Sequence, residues 1–125
     1  MRKSEPRRYR GLTLRIFGSG APAMGPGKAE MIERIERTGS ISAAAREMGM
    51  SYRRAWQLVE ALNAAYRGPV VTTAVGGKRG GGARVTPFGG RLVAEFRAME
   101  RKASAAIAAD LRRFTGNLRK PRPRR

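Results

Sequence analysis

The chain has no cysteine and no histidine in its 125 residues, and Asp110 is its single aspartate. Without cysteine there is no disulfide, no thiolate nucleophile and no zinc ribbon. Without histidine, most general-base, hydrolytic and metal-dependent chemistry loses its usual side chain. No enzymatic activity, metal or cofactor is therefore expected. Long apolar runs are also missing. "GLTLRIF" is short and interrupted by Arg15, and "ASAAIAAD" falls far short of a bilayer span. No export or membrane signal competes, and the chain reads as cytoplasmic.

Acidic residues are scarce, at nine against 27 basic ones, for a net charge of +18. Five basic groups crowd residues 1–10, and seven lie in residues 112–125 with no acid among them. Between 11 and 111 there remain 15 basic and 8 acidic residues, so the central region is cationic without its ends. Such a balance favours a polyanionic partner.

The length suits one domain. Residues 1–10 read as a basic flexible N-terminus, 11–114 as the folded domain and 115–125 as a disordered basic tail. "LTLRIF" (12–17) alternates like a half-buried strand, with Leu12, Leu14 and Ile16 inward. "GSGAPAMGPG" (18–27) reads as a loop. A first helix is expected from Lys28 to Thr38 on the stripe Met31, Ile32, Ile35, ending at Gly39. Ser40 or Ser42 caps a second helix that ends before Gly49, and Ser51 caps a third. "VVTTAV" (70–75) and "ARVT" (83–86) read as strands of a hairpin around the loop "GGKRGGG". Thr86 and Pro87 then open a last helix reaching about Phe114.

Helix, helix, turn, helix, hairpin, helix is the order of a winged helix-turn-helix, α+β but mainly α. Counting from Gly49 in the turn, Ala45 must be small, while Ala55 and Leu58 face inward. The complementary face of the third helix carries Ser51, Tyr52, Arg53, Arg54 and Gln57, with Glu60 at its margin. Arginine reads guanine through two hydrogen bonds, and Gln57 suits adenine. Trp56 is expected at the rim, partly packed on its neighbours. Two cations, Lys78 and Arg79, sit at the hairpin tip, and Arg84 lies on the returning strand; all three suit phosphate contact. A nucleotide-binding loop does not fit: Pro22 and Ala29 around Lys28, and Thr72 and Arg79 around Lys78, break the required pattern.

"TGSISAAAREMGMSYRRAWQLVEALN", followed by "GGKRGGGARVTPFGGRLV", resembles the N-terminal winged-helix domain of ModE-type molybdate-responsive regulators, with their LysR-like helix-turn-helix. The resemblance spans about residues 12–105. It implies a sequence-specific regulator of transcription acting on double-stranded DNA, dimeric through the last helix and the first strand. It also implies that Ser51, Tyr52, Arg53, Arg54 and Gln57 enter the major groove while Lys78 and Arg79 lie on the wing. The family's oxyanion-binding domains have no counterpart in these 125 residues, so no small-molecule effector site is expected. The rival expectations are a non-specific nucleoid or RNA-associated architectural protein, and a protein-interaction module.

Overall fold

The computed structural model of the chain describes residues 11–74 and 82–121. Helix α1 (Pro26–Thr38) starts two residues ahead of Lys28. Pro26 suits the first turn, where a missing N–H costs nothing. Met31, Ile32 and Ile35 are fully buried, as their spacing requires. After Gly39, Ser40 caps α2 (Ile41–Met48), its hydroxyl oxygen accepting the Ala43 N–H at 2.9 Å. Gly49 then takes a left-handed conformation (φ 71°), and the Met50 N–H returns to the Ala45 carbonyl at 3.0 Å. A residue with a β-carbon would be strained there, so glycine sets the turn. Ser51 caps α3 (Tyr52–Ala65) by accepting the Arg54 N–H at 3.0 Å.

Ala55, Val59 and Leu62 of α3 close on Ala44 and Ala45 of α2, and Leu58 is only half-buried at the edge of this contact. Strands β3 (Val71–Ala74) and β4 (Gly82–Val85) pair antiparallel, with Val71 opposite Val85 and Ala74 opposite Gly82. Two ties hold this hairpin to the helices. The Ala83 N–H donates to the Gly39 carbonyl at 3.0 Å. The Asn63 side chain accepts from the Val70 and Val71 amides at 2.7 and 3.0 Å and donates to the Val71 carbonyl at 2.9 Å. The chain is therefore a winged helix-turn-helix, mainly α. The expected wing-tip residues Lys78 and Arg79 lie outside the described residues.

Thr86 caps α4 (Pro87–Ala106), which buries Val93 and Phe96 on the core. Arg97 grips Glu33 of α1 through two hydrogen bonds of 3.0 and 2.9 Å, a fork-to-carboxylate geometry that fixes α4 on the scaffold. The last helix is not continuous to Phe114. It breaks at Ile107 (φ −111°, ψ 16°) and resumes as α5 (Ala108–Thr115), so Thr115 is helical. Neither proline nor glycine causes the bend, and the hydrogen bonds Ile107 N to Ala103 O and Leu111 N to Ile107 O bracket it. Beyond the bend, Leu111 lies against Gly11 in the segment leading into the first strand.

The N-terminal region differs from its expectation. Regular pairing is confined to β1 (Ile16–Phe17), and the supposed loop supplies its partner, β2 (Pro22–Met24). Gly18, Ser19 and Gly20 reverse the chain, and Pro22 stands at the strand start, where its missing N–H is tolerated. Ile16 and Phe17 are exposed, and inward packing falls to Leu14 and Met24. The hairpin is anchored to the end of α3, where the Tyr66 hydroxyl donates to the Ala23 carbonyl at 2.9 Å. Partial burial pushes the Tyr66 hydroxyl pKa up. Tyr66→Phe should cost about 1 kcal/mol of stability, seen as a thermal midpoint lower by a few degrees. An unchanged midpoint would mean that water replaces the bond at no cost. Among the described residues, no helix is long and apolar enough to cross a membrane.

Candidate nucleic-acid interface

The first turns of α3 leave Ser51, Tyr52, Arg53, Arg54 and Gln57 exposed on one end of the domain. They are exposed because Ala55, Val59 and Leu62 take the core-facing positions of the same helix. Ser51 spends its oxygen on the cap, which leaves its O–H free to donate. The Tyr52 ring stands edge-on to Trp56, 6.2 Å between centroids, and Trp56 packs half-buried on the core. Trp56 thus sits at the rim and braces Tyr52. Glu60 is exposed further along α3, where its charge opposes phosphate contact.

Charge in the fold is segregated. Glu30 and Glu47 pair with Arg34, and Arg37 also reaches Glu47. Arg97 pairs with Glu33 and Glu100, and Arg113 with Asp110. Hydrogen bonds from Arg34 and then Arg37 hold the Glu47 carboxyl below its usual range, while Glu47 raises Arg34 and Glu33 raises Arg97. These carboxylates are neutralised on α1, α2, α4 and α5. Arg53 and Arg54 have no ion pair among the described residues. The start of α3 is left with uncompensated positive charge, as a phosphate-facing surface requires.

Arg84 is exposed on β4 opposite Thr72, and lines a cleft of about 570 Å³ with Glu36 and Gly39. That cleft is separate from the one bordered by Arg54 and Gln57, so the fold does not gather Arg84 with the α3 residues. The second cleft, about 480 Å³, adds Arg15 and Lys28 to Arg54 and Gln57.

The bacterial regulatory helix-turn-helix family of lysR type matches residues 28–90, from the start of α1 to the first turn of α4. The chain belongs to this lysR family. Among relatives, the molybdenum-pterin-binding protein MopB of Rhodobacter capsulatus is 46% identical over 109 residues, covering 87% of this chain and 38% of MopB. The molybdenum transport protein ModE of Azotobacter vinelandii is 36% identical over 85 residues, 68% of this chain and 32% of that protein. The DNA-binding transcriptional dual regulator ModE of Escherichia coli is 38% identical over 68 residues, 54% of this chain and 26% of that protein. The chain thus spans well under half the length of the curated relatives it matches.

Within this lysR-family unit, the matched segment holds both helices of the motif and the wing strands, but not the β1–β2 hairpin or α5. No local sequence signal places Arg15 and Lys28 in one cleft with Arg54. The alternation in "LTLRIF" turns Arg15 outward, but nothing local says that it lands beside α3. Lys28 follows Gly27, and nothing local places it beside α3 either.

Proposed function

We propose that this protein is a sequence-specific, non-catalytic, double-stranded-DNA-binding regulator of transcription, homodimeric and acting at the cytoplasmic nucleoid. The observation that carries the reading is the unpaired cationic start of α3, Ser51 to Gln57, on a scaffold whose acids are largely tied up in ion pairs elsewhere. Arg53, Arg54 and Gln57 would read base edges, Ser51 and Tyr52 would fix the helix in the groove, and Lys78, Arg79 and Arg84 would bind the backbone. The names of the relatives extend the proposal to genes for molybdenum handling. No effector is assigned to residues 11–121.

Selection from a random duplex library tests it. A recovered site should compete at least about a thousandfold better than random duplex. Equal competition would instead support a non-specific architectural protein, and no duplex binding at low salt a protein-interaction module. On the selected site, Lys78→Ala and Arg79→Ala should each reduce the salt slope by about one unit without changing the preferred sequence. A changed preference would make the wing a base reader.

A further inference from the structure

The cleft beside α3 is built from three separate parts of the chain. Arg15 comes from the segment entering β1, Lys28 from the first turn of α1, and Arg54 and Gln57 from α3. Among the described residues its cationic lining contains no carboxylate, and Met50 and Leu58 form part of its apolar lining. Lys28 and the stem of Arg15 are positioned by the corner between the hairpin and α1. The Lys28 ammonium donates to the Pro22 carbonyl at 2.6 Å, across the corner between β2 and α1. The stem of Arg15 lies over Gly25, its Cγ 3.2 Å from where a β-carbon would be, so the glycine leaves room for the side chain to lie there. The guanidinium has a single long contact, 3.5 Å to the Thr13 hydroxyl. Neither Arg15 nor Lys28 has an ion pair among the described residues. The hairpin is fixed to α3 itself through Tyr66 and Ala23, and Met24 is buried, so the backbone that carries Arg15 is tied to the helix that carries Arg54.

We propose that this cleft seats a backbone phosphate of the DNA duplex, held by Arg15 and Lys28 beside Arg54, and that the β1–β2 hairpin is therefore a DNA-contacting element in addition to α3 and the wing. The inference rests on the duplex-binding reading above. Charge complementarity supports it, because three cations line the cleft and, among the described residues, no acid does. Continuity supports it as well, because Arg54 and Gln57 belong both to this cleft and to the groove-facing set. Neither wing strand lines the cleft, so the contact adds to the wing's and does not duplicate it.

The test uses the full chain and a duplex on which the wild-type protein shows sequence preference. Arg15→Ala should weaken binding about fivefold at 0.15 M salt and lower the salt slope by about one unit, the value of one released counterion. The preferred sequence and the thermal midpoint should stay unchanged, since Arg15 is exposed. Lys28→Gln should act in the same direction. Replacing each phosphate in turn by a methylphosphonate should reveal one position that weakens the wild type but not Arg15→Ala. Wild-type affinity and slope in both variants, with no such position, would overturn the hairpin contact and leave the recognition-helix reading intact. If the wild type does not bind duplex at all, both readings fall.

Discussion

Leu111→Glu combined with Phe114→Glu should convert the protein from a dimer to a monomer and weaken its binding to a two-half-site duplex by roughly a hundredfold or more. The expectation comes from what the protomer leaves uncovered. Ile107, Leu111 and Phe114 follow one another at i, i+4 and i+7, a helical stripe. No residue of α5 is buried, and Met99, Phe114 and Leu118 are 42, 69 and 62% exposed. An eight-residue helix has too few hydrogen bonds to stand by itself in water. Among the described residues, its own protomer offers α5 little beyond the contact of Leu111 with Gly11. A second copy related by two-fold symmetry would cover both stripes at once and present two α3 helices to successive major-groove segments, about 34–36 Å apart. The second half-site is then bound intramolecularly, which is the source of the hundredfold. Glutamates within the stripe would bury charge in that interface. Phe114→Glu alone guards against misfolding of the double variant, because the Phe114 side chain is largely exposed in the protomer. Wild type that sediments as a monomer, both free and on its duplex, would overturn the dimer.

The bend before α5 explains why this part of the fold was only half legible. The apolar period runs unbroken from Leu92 to Leu111, so periodicity alone predicts one helix, and the break at Ile107 carries no proline or glycine to announce it. The helix-turn-helix was legible almost residue by residue because its determinants are local. Ser40 and Ser51 cap, Gly49 turns, and Ala44, Ala45 and Ala55 are small where helices cross. The β1–β2 hairpin was not, because strands of two and three residues leave no alternating pattern and one of them starts at a proline. Their pairing depends on anchors distant in sequence, such as the hydrogen bond from Tyr66 to Ala23. The cleft with Arg15 inherits that difficulty. Arg15 and Arg54 are 39 positions apart, and only the folded hairpin places both along one cleft.

On α3 the sequence and the fold meet most directly, and there the second large effect is expected. Arg53→Ala and Gln57→Ala should each lose roughly 1–3 kcal/mol of specific binding, about five- to 150-fold, while binding to random duplex changes far less. Both side chains are exposed, and the core-facing positions of the helix are filled by Ala55, Val59 and Leu62, so neither substitution should move the thermal midpoint appreciably. Arg53 has no ion pair among the described residues, so its removal strands no buried partner and the loss reads out DNA contact alone. The two variants should also fail differently. Arg53→Ala should relax preference at a guanine, because the lost fork matches its two acceptors, whereas Gln57→Ala should relax it at an adenine, which pairs one acceptor with one donor. Arg54→Ala should combine a specific loss with a lower salt slope, since Arg54 also borders the cleft with Arg15 and Lys28. Repeating the library selection with each variant separates these outcomes. Unchanged preference in Arg53→Ala and Gln57→Ala, with affinity equal to wild type, would move base reading off the start of α3.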